Sequence, residues 1–196
     1  MEIEEARGLA HRLLADDLPQ RWTHVLGVAA TAEQFRGLLP ESELLIVAAY
    51  LHDIGYAPSL VDTGFHQVDG ARYLRRLGWD ENVVNLVAHH SAAAAQAVLG
   101  GWIDLIEIDF PFDPSLPHRY LQFCDLTTGF NGEPVTIEQR LDDPRARNAD
   151  NQPKLDYIDR YENELRALVA EIKVEHGLVP PDDQSQERDR GPISAG

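Results

Sequence analysis

Residues 41–55 read ESELLIVAAYLHDIG, and the fold follows from how that stretch must be buried. Its apolar run LLIVAAYL, residues 44–51, has no polar face at a 3.6-residue period, which predicts a central helix enclosed on most sides. Pro40 suits the first helical turn, Glu41 and Glu43 lie near the positive dipole end, and Gly55 supplies the C-terminal break. His52 and Asp53 therefore stand where a buried helix ends. Neighbouring residues on a helix point about 100° apart, so this pair can converge on one ion only from the helix end, where side chains splay. An isolated His-Asp dipeptide ordinarily forms no more than a hydrogen bond, so the rest of the chain must decide.

Outward from that core, apolar residues keep helical spacing and strand-like alternation is scarce. The expected fold is all-α, a single-domain helical bundle over residues 1–178. Upstream, one helix covers roughly residues 2–15 and stops before Pro19, and a second runs from about Trp22 to Arg36 with Val25, Ala29 and Ala32 on its stripe. Downstream, HQVDGARYLRRLG predicts a helix from His66 closed by Gly78, and Asp80 can cap another from residue 81 to about residue 99. Residues 100–117 fit a short helix or a strand. HRYLQFCDLTTGF, from residue 118, predicts a helix ending at Gly129; an acidic loop with Pro144 leads to a last amphipathic helix over about 154–176. Residues 179–196 form a tail rich in Pro, Asp, Gln, Ser and Arg, expected to be flexible because it has little apolar surface to order it.

The 196 residues suffice for one sizeable core. A net charge of −16 leaves no basic footprint for duplex nucleic acid or an anionic membrane surface, so any phosphate ligand needs a local cation. Cys124 is the only cysteine, which precludes an intrachain disulfide; on an apolar helix it reads as buried and inert rather than as a nucleophile. The start MEIEEARGLAHRLL lacks a signal-peptide pattern and no run is long and apolar enough to span a bilayer, giving the expectation of a soluble, cytoplasmic protein.

A metal that activates water needs oxygen and imidazole ligands converging from different helices. His24, His52, Asp53 and Asp125 offer that set, each in an apolar context where an unpaired polar group would be costly and a shared cation relieves the cost. The segments RWTHVLGVA (21–29), AAYLHDIGY (48–56), FHQVDGARYL (65–74), VAHHS (87–91) and FCDLTTG (123–129) together resemble the HD superfamily of metal-dependent phosphohydrolases, whose signature is the order H...HD...D. The resemblance implies that His24, His52, Asp53 and Asp125 bind the metal in a helical bundle, that Asp53 takes part in catalysis, and that a phosphomonoester or phosphodiester is hydrolysed by metal-activated water. The substrate so implied is a small phosphorylated molecule, a nucleotide above all.

His66, His89 and His90 lie where some branches of the superfamily place ligands for a second metal. Alternatively His66 and His89 donate protons or hydrogen bonds during catalysis; of the pair 89 and 90, one is expected to be functional and one structural. Tyr56 replaces the lysine common after HDIG in that superfamily, and either lines the pocket or packs. Arg21, Arg72 and Thr128 are candidate substrate contacts, against the alternatives of solvated arginines and a hydroxyl, with that of Thr127, capping a helix break. His11, His118 and His176 read as surface residues. No GxSxG elbow, phosphate-cradling glycine loop or dinucleotide fingerprint is present. Imidazole and carboxylate ligands accept Fe, Mn, Co, Ni or Zn, as one ion or two. Two other classes stay open: a mixed-valent di-iron oxygenase on the same fold, and a non-catalytic sensor of metal or nucleotide. A homodimer through an apolar helix face is a further expectation.

Overall fold

The structure, a computed structural model, describes residues 2–91, 93, 97, 101–141 and 150–178. Its helices are α1 (Glu2–Leu14), α2 (Pro19–Glu33), α3 (Ser42–Leu51), α4 (His66–Leu77), α5 (Glu81–Ala88), α6 (Ile103–Asp109), α7 (His118–Leu126) and α8 (Gln152–Glu175), with a 3-10 turn at Ile54–Tyr56 between α3 and α4. Among the described residues there is no strand, only an isolated bridge between Thr128 and Pro134. No helix there is long and apolar enough to cross a membrane.

The all-round apolar character of α3 is explained by the two clusters it lies between. Val47 and Leu51 face a cluster built from Leu9 and Leu14 of α1, Val68 and Leu74 of α4, and Val84 and Val87 of α5. Leu45, Ile46, Ala48 and Ala49 face a second cluster with Val28 and Ala32 of α2, Leu121 and Phe123 of α7, and Val169 and Ile172 of α8. The helix thus lies between two halves of the core, and each large side chain buried there contributes about 1.5–3 kcal/mol of transfer free energy.

Two boundaries differ from the sequence expectation, and one segment that fits a short helix or a strand takes the helical form. Pro19, expected only to stop α1, also opens α2, where its missing N–H leaves nothing unsatisfied. The segment left open between helix and strand contains α6. The helix predicted over residues 81–99 ends at Ala88: His89 leaves the helical region and Ser91 takes a left-handed φ of 51°. The apolar periodicity continues past this point, but side-chain hydrogen bonds from both histidines override it. Residues 92, 94–96, 98 and 99 of that predicted helix, residue 100, the Pro144 loop and the tail from residue 179 lie outside the described residues.

Two packing features position the site. Buried Asp69 accepts hydrogen bonds from the backbone N–H groups of Asp62, Thr63 and Gly64 and from the Thr63 hydroxyl, which fixes the loop that starts α4 at His66. Gly55, in the 3-10 turn, lies so close to the His66 carbonyl and Gly70 N that a β-carbon there would collide with backbone. That contact brings the end of α3 directly against the first turn of α4.

Candidate metal centre

Six side chains from five helices or helix ends converge: His24 from α2, His52 and Asp53 from the end of α3, His66 from the start of α4, His90 just past α5, and Asp125 from α7. All but His66 are buried. The backbone fixes three of the imidazoles in the same way. Nδ1 of His24 is 2.9 Å from the Gly129 carbonyl, Nδ1 of His52 is 2.8 Å from the Ala49 carbonyl, and Nδ1 of His90 is 2.7 Å from the Val87 carbonyl. A carbonyl can only accept, so the proton sits on Nδ1 and each neutral ring turns an Nε2 lone pair toward the cluster. For His52 and His90 the carbonyl is one left open at a helix C-terminus, three residues back.

The cluster has two groups that share Asp53. On one side, Asp53 Oδ2 is 3.3 Å from His52 Nε2 and 3.8 Å from His24 Nε2, which is itself 3.1 Å from Asp125 Oδ1. On the other, Asp53 Oδ1 is 3.4 Å from His90 Nε2 and 3.6 Å from His66 Nε2, and those two nitrogens are 3.1 Å apart. His24, His52 and Asp125 form one set of converging donors; Asp53, His66 and His90 form the other.

These residues fit a divalent metal. His52 Nε2 is buried without a hydrogen-bond partner among the described residues, an arrangement costly for a polar atom unless a cation meets its lone pair. The lone pairs of His24 Nε2 and Asp125 Oδ1 also face each other, so a proton or a cation has to lie between them. Burial pushes His24 down, but Asp125 and Asp53 outweigh it and raise its pKa. The donor set of imidazole and carboxylate suits a transition metal over calcium or magnesium.

Two arginines adjoin the carboxylates. Arg21 donates from Nη1 to Asp53 Oδ2 at 2.8 Å and lies over the Tyr56 ring at 4.0 Å, and Tyr56 stacks in turn on His66 with centroids 3.9 Å apart. Arg140 donates from Nη2 to Asp125 Oδ1 at 3.0 Å and lies over Phe130 at 4.8 Å. Burial raises both carboxyl pKa values, but it is overcome at Asp53 by His52, His90 and Arg21 and at Asp125 by Arg140, His24 and His52, leaving both well below the usual carboxylate range. Burial holds His66 well below its ordinary value, so it is neutral near pH 7. Tyr56, whose side chain stays partly exposed, is pushed up to about 12 by desolvation and by the charge of Asp53.

Other residues singled out in the sequence lie elsewhere. His89 turns away, its Nε2 2.6 Å from the Phe110 carbonyl, so of the adjacent histidines it is His90 that enters the cluster. Arg72, read as a candidate phosphate contact, is held by Asp109 at 2.5 Å and ties α4 to α6. Thr128 donates to the Cys124 carbonyl at 2.7 Å and Thr127 to the Phe123 carbonyl at 2.8 Å, the capping alternative. Cys124 is buried, its thiol pushed up by desolvation. His11 is exposed, edge-on to Trp22. The surface reading of His118 and His176 is corrected: His118 is partly buried beside Phe112 and His89, and His176 packs edge-on to Phe35.

Sequence reasoning missed Arg140, Phe130 and the Gly129 carbonyl. Gly129 and Phe130 belong to a return loop after α7, in which Gly129 N donates to the Glu133 carbonyl and Val135 N to the Thr127 carbonyl, and Arg140 lies on the helical turn that follows it. The loop is pressed onto α2, where a β-carbon on Gly27 would lie 2.5 Å from the Gly132 carbonyl. Helical residues 137–141 then anchor through Ile137 and Leu141, and that spacing was the available signal that Arg140 sits on a helix against the core.

Comparison with known proteins gives a match to a family model described as HD domain over residues 21–141. That span includes all six converging side chains, Arg21 and Arg140. Neither curated proteins nor solved structures give a match.

Proposed function

From the premise that the chain belongs to the HD domain family, we propose that it is a metal-dependent phosphohydrolase acting on a phosphate ester of a small molecule, a nucleotide above all. One observation carries the proposal: Asp53 directs one oxygen to each of two groups of imidazole nitrogens, three of which the backbone has already oriented. His24, His52, Asp53 and Asp125 would hold one divalent ion, and His66 and His90, with the other Asp53 oxygen, a second. A metal bound there supplies Lewis acidity toward a phosphoryl oxygen and lowers the pKa of water to about 7.

The remaining roles belong to the chain. Gly129, Ala49 and Val87 hold the Nδ1 protons and turn Nε2 of each ring to the site, so only the proton between His24 and Asp125 has to leave before an ion binds. Tyr56, stacked on His66, restricts the least buried ligand. His66, neutral near pH 7, can ligate without competition from a proton.

Phosphate release from a panel of nucleoside mono- and diphosphates, measured with and without added Mn(II) and under argon, tests the proposal. Metal-dependent release without oxygen is the expected outcome. The shared Asp53 also suits a di-iron oxygenase, so oxygen uptake by the iron-loaded protein, with no phosphate released, would replace the hydrolase reading by that one.

A further inference from the structure

Arg21 and Arg140 come from opposite ends of the matched span and meet the cluster on different carboxylates, Asp53 and Asp125. We infer that they form a two-guanidinium clamp for the phosphoryl group of a phosphomonoester dianion. The inference rests on the hydrolase reading and assigns its substrate class.

Burial distinguishes these arginines from surface ones. Their side chains are 23% and 16% exposed, withdrawn from water yet open on one part. An aromatic face fixes each plane, Tyr56 under Arg21 and Phe130 under Arg140. A guanidinium carries five N–H donors in a rigid fork, and the bond to each ligand carboxylate uses one. Simple neutralisation of a carboxylate needs only a point charge. A fixed fork that keeps donors beyond that bond matches the spacing of phosphoryl oxygens.

Charge selects the ester. The carboxylates of Asp53 and Asp125 are balanced by the two guanidiniums, and the histidines ligate as neutral rings. The two divalent ions then leave a local surplus of +4, of which a phosphomonoester dianion offsets twice as much as a diester monoanion does. In a chain of net charge −16 this is a local island of positive potential, where a dianion gains most over a monoanion.

The test is calorimetric titration of the Mn(II)-loaded protein at pH 8 with inorganic phosphate and, separately, dimethyl phosphate, with bound Mn measured on each sample. Wild type is expected to prefer phosphate to dimethyl phosphate by at least about tenfold. Arg140→Gln and Arg21→Gln are expected to keep their Mn and lose phosphate affinity by about ten- to hundredfold, the range for a charged hydrogen bond. Arg140→Lys keeps the charge should the glutamine variant misfold, and is expected to lose about tenfold because it lacks the fork. Unchanged phosphate affinity in the folded variants overturns the clamp alone. So does loss of Mn together with phosphate, which would make the arginines holders of the ligand carboxylates. Wild-type protein that takes up no Mn overturns the hydrolase reading and the clamp with it.

Discussion

His90 commits Nδ1 to the Val87 carbonyl and turns Nε2 into the cluster, whereas His89 commits Nε2 to the Phe110 carbonyl and packs its ring edge-on to Phe112 and His118. The two are adjacent in sequence and leave the same helix end. What separates them is which ring nitrogen the backbone captures. Where Nδ1 is held, as at His24, His52 and His90, the ring becomes a presented ligand; where Nε2 is held, the ring becomes a strut between α5 and the end of α6.

The comparison breaks most completely at Asp53, the carboxylate common to both groups of ligands. Asp53→Ala is expected to lower affinity for both ions by more than about a hundredfold, beyond the range for groups that only orient ligands, and to abolish phosphate release. Retention of either ion at wild-type affinity would show that Asp53 is not shared. The adjacent histidines then separate inside from outside. His90→Gln should cost about a hundredfold in affinity for one ion, while His89→Gln should leave both affinities within about threefold and lower stability by about 1 kcal/mol for its lost hydrogen bond.

A packing change sharpens the same contrast without touching a ligand. Gly55→Ala forces a β-carbon against the His66 carbonyl, with an expected loss of about 2–3 kcal/mol by thermal unfolding and weaker binding at the His66 and His90 group first. The smallest effect lies outside the cluster, at His118. Burial and the neighbouring His89 lower its pKa to about 4, while Asp113 draws it the other way. The folded state then binds a proton less readily than the unfolded one, whose pKa is about 6.5. Stability is full above pH 6.5 and is lost as pH falls toward 4. For a partly exposed ring this is on the order of 1 kcal/mol after solvent screening, and His118→Gln should flatten that slope in denaturant titrations between those pH values.

The legible part of the molecule is the part where local pattern and burial agree. The apolar run of α3 could be read as a central helix because no face of it tolerates water, and the ligands of the first group were readable because each interrupts such a stripe. His89 and His90 were not separable, because periodicity places both near the core and the deciding hydrogen bonds come from the tertiary fold. Arg72 followed the same logic in reverse: an arginine on the His66 helix looks available until Asp109 of α6 is brought beside it. Phe130 was invisible, and Arg140 was legible only as a residue of a short helix, because a return loop, closed by the approach of Gly132 to Gly27, carries them back over α2 and α7. No periodicity records that contact.

The most direct test is metal stoichiometry by mass spectrometry on protein purified without chelator or histidine tag, on wild type and the His89→Gln and His90→Gln variants together. The account predicts two transition-metal ions per chain in wild type, two in His89→Gln, and one in His90→Gln. A wild-type protein that neither carries nor takes up Mn, Fe, Co, Ni or Zn, or a His89→Gln variant that loses an ion while His90→Gln keeps both, would contradict it.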